Sequence, residues 1–248
     1  MQHYVDLNIK IQSTDIKQLK EIYMSTKNTQ VKSKQRVVDH GEVFTNEREV
    51  KAMLDMVKDE SERIDSRVLE PACGNGNFVT EVLRRKLKTV KQSSTPKGRK
   101  NVSIPDYEKL SVLAIGCVYG IDIMIDNVVE CRKRLYDIWY ETFKNDCKKD
   151  PDKDLCDAVT FILTRNILCG NTLSMKQVNE KAQDIDLPII ISEWGFVMGS
   201  QMQRKDYRYD VLVGDRLPNQ ELSEDYIKNE RNYLRGYITY FKEVQKYA

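Results

Sequence analysis

The chain predicts an α/β protein built on a doubly wound parallel sheet, and three observations carry that expectation. Strand and helix patterns alternate from about residue 67 to 191. The apolar run Val68-Leu69 passes through Glu70-Pro71-Ala72-Cys73 into Gly74-Asn75-Gly76 and then into a helical pattern. A strand that ends in a glycine turn and feeds a helix is where α/β folds bind nucleotides. Finally, 40% of the 248 residues are hydrophobic, enough to fill one large domain with decorations or two small ones.

Taken in order, residues 13–36 predict a charged helix with Ile16, Leu19, Ile22 and Tyr23 on one face. Residues 41–46 read as a turn, with Thr45 or Asn46 capping a helix over 47–58 that carries Val50, Met53, Leu54 and Val57 at helical spacing. Residues 67–73 form a strand and 76–88 a helix. The stretch 89–105 is polar, basic and broken by Pro and Gly, which predicts a mobile surface loop. A helix over 106–116, a strand over 117–123 and a long helix over 126–145 follow, the last with Val128, Val129, Leu135, Ile138 and Trp139 inward. A helix over 152–164 precedes a strand over 166–171. The strand 187–192 pairs as a hairpin with 205–213, turning at Met198-Gly199-Ser200. Residues 221–246 read as a helix rich in Tyr and charge. The expected organisation is an N-terminal helical extension over 1–60, a core over 61–220 and a C-terminal helix over 221–248. There are no internal repeats.

Composition excludes several function classes. Charged residues make up 31% of the chain, and no apolar run approaches membrane-spanning length. With no signal-peptide character at Met1–Asp6, a cytoplasmic location is the expectation. The six cysteines are scattered without a C-x-x-C pair and there are two histidines, which argues against zinc and for free thiols. A net charge of +2 announces no nucleic-acid binder by itself, so DNA contact needs a local basic patch. Two stretches offer one: residues 84–100, with Arg84, Arg85, Lys86, Lys88, Lys91, Lys97, Arg99 and Lys100, and residues 203–208. Phosphate contacts from them would be salt-sensitive and indifferent to sequence.

Four segments stand in a fixed order: Gly41-Glu42-Val43-Phe44-Thr45, Glu70-Pro71-Ala72-Cys73-Gly74-Asn75-Gly76, Gly120-Ile121-Asp122-Ile123 and Gly170-Asn171-Thr172-Leu173. Together they cover about residues 41–173. They resemble the motifs of adenine-N6 DNA methyltransferases of the restriction–modification type. The sequence departs from that pattern at Asn46, where the family usually has Pro, and at Asn171, where Asp is common.

The resemblance implies a Rossmann-like methyltransferase fold, a parallel sheet flanked by helices with a C-terminal hairpin and helix. It also implies S-adenosyl-L-methionine as cofactor and DNA as partner. Phe44 and Thr45 then help hold the cofactor tail, and Glu70, Pro71, Ala72, Cys73, Gly74, Asn75 and Gly76 surround it. Gly74 and Gly76 allow close approach because they lack Cβ. Asp122, at the end of the next strand, is placed to accept both ribose hydroxyls. Ile123 and Asn171 stand where adenine needs an apolar wall and an acceptor. Cys73 reads as a packing residue rather than a nucleophile.

One part of the pattern is missing. Adenine N6 is a poor nucleophile, and the base must be flipped out and held by acceptors. The family supplies these with Asn or Asp, two prolines and an aromatic directly after a strand, and this sequence has no such run. One remnant is Tyr209-Asp210-Val211-Leu212-Val213-Gly214-Asp215, in which a strand would place Asp215 as the acceptor and sole catalytic candidate. The other is Ile190–Phe196, offering Glu193 and an aromatic. Two readings stay open: a working DNA methyltransferase, divergent there or completed by a partner subunit, and a non-catalytic relative that binds S-adenosyl-L-methionine or DNA as a regulatory or anti-restriction subunit. A third class, a methyltransferase acting on RNA, protein or a small molecule, is opposed by the resemblance of the upstream Phe44-Thr45 segment.

Overall fold

The computed structural model describes Arg36, residues 44–214 and residues 234–247. The chain divides into two units, Met1–Asn46 with Ala248, and Glu47–Tyr247. Arg36 is helical and Phe44–Asn46 are irregular. The rest of the helix expected over 13–36, and Gly41 to Val43, lie outside the described residues.

The second unit opens with helices α1 (Glu47–Met56) and α2 (Lys58–Glu62). Val50 and Leu54 of α1 are buried, whereas Met53 and Val57 are largely exposed. A parallel sheet follows, with strands β1 (Val68–Glu70), β2 (Val118–Asp122) and β3 (Ile167–Cys169) in the order β1-β2-β3. Val68 pairs with Val118, and Gly120 with Ile167. The strands step across the sheet in one direction, so the reversal that defines a doubly wound sheet is not seen among the described residues.

Each crossover carries two helices: α3 (Asn77–Ser94) and α4 (Ile104–Gly116), then α5 (Ile125–Cys147) and α6 (Lys153–Asn166). Alternation along the strands sends neighbouring side chains to opposite faces. Val118 and Ile167 join the main core with Val79, Leu83, Val128 and Leu135. Ile121 goes the other way, into a small cluster with Ile189 and Tyr209.

The first part of the expected loop over 89–105 is helix instead. Val90 and Ser94 are buried and extend the stripe of Leu83 and Leu87 at helical spacing. The helix stops where Ser94 Oγ and Thr95 Oγ1 donate to the Val90 and Lys91 carbonyls, just before Pro96. Only residues 95–103 connect α3 to α4.

Two antiparallel sheets complete the unit. A small one pairs β4 (Lys176–Val178) with β5 (Asp184–Pro188). A larger one has the order β6-β7-β8, from β6 (Ile190–Met198), β7 (Gln201–Arg208) and β8 (Arg235–Tyr240). The hairpin turns at the expected Gly199, whose φ is +55°.

Two expectations fail here. Tyr209–Gly214 is a short helix, α7, rather than strand. The Tyr209 amide still bonds the Ile189 carbonyl, and the helical turn then sets Tyr209 and Val213 against Ile121 and Ile189. Residues 235–240, expected as helix, form β8, and Phe241–Tyr247 follow as a 3-10 helix. Tyr237 and Thr239 turn inward while Ile238 and Tyr240 are exposed, a period of two that β-branched and aromatic residues favour. Residues 221–233 lie outside the described residues.

Candidate functional site

The segment 70–77 leaves the carboxyl end of β1 and crosses the end of β2. The Cys73 amide bonds the Ile121 carbonyl at 2.9 Å, and the Gly76 amide bonds the Cys73 carbonyl at 2.8 Å. Gly74 and Gly76 both have positive φ, +52° and +93°. Gly76 is the N-cap of α3. A Cβ on it would stand 2.5 Å from Cys131 Sγ, so its missing side chain lets the loop lie on α5. Gly120 likewise makes room for Cys73, whose Sγ would be 2.9 Å from a Cβ there.

Asp122 ties this loop to the next crossover. Its Oδ2 accepts from the Gly74 amide at 2.9 Å, and its Oδ1 from the Met124 amide at 2.8 Å and from Asn127 Nδ2 at 3.1 Å. Ile123 follows directly, half-buried beside it.

Glu70 is different. Its carboxylate is half-buried and accepts a single long bond, from the Ala72 amide at 3.4 Å. Burial raises its pKa above the ordinary carboxylate value, and that amide opposes the shift only in part. Asn75 adds a second unspent acceptor. Its Nδ2 donates to Glu130 at 3.0 Å, while its Oδ1 is buried without a partner. The loop therefore presents two underused acceptor groups, one of them anionic.

Cys73 is buried, and a hydrogen bond with Cys131, together with burial, raises its thiol pKa well above normal. It is a packing thiol. Asn171 is committed locally. Its Nδ2 donates to Asp184 at 3.0 Å and its Oδ1 accepts from the Leu173 amide at 3.0 Å. Neighbouring Thr172 donates to the Pro71 carbonyl at 3.1 Å, which brings this turn against the loop. Phe44 and Thr45 belong to the other unit.

Sequence reading missed the support that α5 provides. Asn127, Glu130, Cys131 and Arg134 face the loop from one side of that helix. Arg134 Nη1 donates to the Asn75 carbonyl at 2.7 Å and to Asn77 Oδ1 at 2.9 Å. The signal was present as the spacing i, i+3, i+4, i+7 directly after Asp122.

Of the two acids singled out from the remnants, Glu193 is not brought to this loop. Asp215 lies outside the described residues, and the strand expected to lead into it is α7. Glu193 pairs with Arg67 at 2.5 Å and accepts from Tyr207 at 3.0 Å. Arg67 precedes β1 whereas the loop follows it, so Glu193 sits at the opposite end of the strand, about 10 Å away. Trp194 is buried and donates to Asn166 at 2.8 Å.

The expected basic stretches are only partly available. Lys86 is buried, Arg85 pairs with Asp55 and Glu81, and Lys91 pairs with Asp146. Arg204 is buried and Arg208 pairs with Asp210. Arg84, Lys88, Lys97, Arg99 and Lys100 remain at the surface, the last two lining an open cavity of about 600 Å³ beside the start of α4.

Among the described residues no group of His, Cys, Asp and Glu could hold a metal ion, and no helix is long and apolar enough to cross a membrane. Comparison with family profiles, curated proteins and solved structures finds no match to this chain.

Proposed function

We propose that the chain binds S-adenosyl-L-methionine at the loop Glu70–Gly76 and serves adenine-N6 methylation of DNA on a Rossmann-like methyltransferase fold. The observation that carries this reading is the unspent pair of acceptors, Glu70 carboxylate and Asn75 Oδ1, beside a left-handed glycine turn at a sheet's carboxyl end. A half-buried carboxylate without a cation is unfavourable until one arrives. The ammonium of an amino-acid tail fits that need. Asp122, at the carboxyl end of β2 against the Gly74 amide, would take the ribose, and Ile123 offers an apolar surface. Asn171 would have to release its turn bonds to serve adenine, so its part is the least supported by the geometry. When bound, the cofactor supplies an electrophilic methyl group on a sulfonium.

Calorimetry tests the reading. The cofactor should bind the full chain, and Glu70→Gln should weaken it about 10- to 100-fold, the range for a lost hydrogen bond to a charged partner. Absence of binding, or equal affinity in Asp122→Ala and wild type, sinks the site assignment.

A second reading is favoured by the location of Glu193 and by the helical form of Tyr209–Gly214. The chain would bind the cofactor while the group that holds the target base comes from a partner subunit, or it would be a non-catalytic relative. Methyl transfer from labelled cofactor to unmethylated DNA, with RNA and protein in parallel, separates these. Transfer to DNA by the isolated chain, abolished in Asp215→Ala, would support self-contained catalysis. Binding without transfer would support the second reading.

A further inference from the structure

A second site lies where α6 meets the larger antiparallel sheet. Three guanidiniums, those of Arg165, Arg204 and Arg235, surround the single carboxylate of Asp206. That carboxylate is fully used. Arg204 donates to it twice, at 2.6 and 2.7 Å, Ser192 Oγ donates at 2.7 Å, and Arg235 reaches it at 3.4 Å through both Nε and Nη2. Four or more donors saturate the roughly four acceptor directions a carboxylate has.

Arg165 is left out. Its guanidinium lies 5.2 Å from the centre of the Phe161 ring, and Arg204 lies 5.4 Å from the same ring. Arg165 Nε is buried without a hydrogen-bond partner. Stacking on Phe161 occupies the face of the cation and leaves its in-plane N–H groups unspent. Burial, and then the neighbouring Arg204, lower its pKa to about 10, which leaves it charged at neutral pH. Arg235 is half-exposed and only weakly engaged, so it can turn toward a ligand.

We propose that Arg165, with Arg235 beside it, forms an oxyanion receptor that takes a phosphate group, either a free phosphate or a phosphodiester of nucleic acid. The planar fork of Arg165 matches two oxygens of such a group. The site is independent of the glycine loop and stands whether or not that loop binds a cofactor.

The probe is inorganic phosphate, compared with chloride at equal ionic strength, on the full chain by thermal unfolding. Phosphate at about tenfold its dissociation constant should raise the wild-type midpoint by about 3 °C over chloride. Arg165→Met should abolish the difference, and Arg165→Lys and Arg235→Ala should reduce it. Equal wild-type midpoints in the two salts overturn the proposal, as does a phosphate response that persists in Arg165→Met. A fluorescent duplex then distinguishes the source. About a tenfold loss of duplex affinity in Arg165→Lys, at fixed salt, assigns the site to a phosphodiester. Unchanged duplex affinity alongside a reduced phosphate response assigns it to a small phosphate ligand.

Discussion

Gly76 and Glu70 sit six residues apart and are constrained in opposite ways. Gly76 serves packing: its φ of +93° and the 2.5 Å approach of Cys131 Sγ leave no room for a side chain. Gly76→Ala should therefore destabilise the protein by about 2–4 kcal/mol, combining backbone strain with overpacking. Adding Cys131→Ala should recover the packing part only, which a double-mutant cycle in urea would show. Glu70 serves no packing need. Because burial raises its pKa, the folded state holds its proton above the pH at which the unfolded chain has released it. Its contribution to stability thus falls as pH rises from the unfolded value of 4.5 through the raised folded value. Glu70→Gln should melt no lower than wild type at pH 7 while losing cofactor affinity. A lower midpoint together with full affinity would show the carboxylate to be structural.

At the scale of elements, α3 depends on a buried lysine. Lys86 Nζ donates to the carbonyls of Arg63 at 2.5 Å, Ser66 at 2.6 Å and Ile64 at 3.4 Å, anchoring the helix to the turn before β1. Burial lowers its pKa from 10.5 to about 8. Between those values the unfolded chain keeps a proton that the folded chain has released, so stability rises with pH across that window. Urea midpoints at about pH 7.5 and 9.5 should show that rise in wild type relative to Lys86→Met. The variant should be weaker at both, since three carbonyls lose their donor. The elements that sequence misjudged have equally local reasons. The polar residues of 89–94 hid the stripe of Val90 and Ser94. In 235–240 Tyr237 and Tyr240 stand at the helical spacing of three, and pairing with β7 overrides it.

For the molecule as a whole, Asn166 joins the two larger sheets of the second unit. Its Nδ2 donates to the carbonyls of Ile115, Gly116 and Val118, and its Oδ1 accepts from Trp194 Nε1. Asn166→Leu should cost about 3–5 kcal/mol, because it orphans buried groups on both sides. Loss of both sheets in one transition, read by tryptophan fluorescence and circular dichroism together, would confirm the coupling. The second unit also carries its own core from Val50 to Val244. A chain starting at Glu47 should unfold cooperatively, and its cofactor affinity against the full chain measures what residues 1–46 contribute.

The sequence by itself determined the strand–glycine turn–helix at 68–88, the acidic end of β2 and the α/β alternation, because these rest on local periodicity and on residues with special backbone freedom. Only the tertiary structure decided which charges are available. Lys86, Arg204 and Glu193 look alike with other charges in a linear reading, yet they are spent on carbonyls, on Asp206 and on Arg67. Glu70, Asn75 and Arg165 keep capacity to spare. Which polar groups are spent depends on partners distant in sequence, brought together by packing that no local pattern encodes.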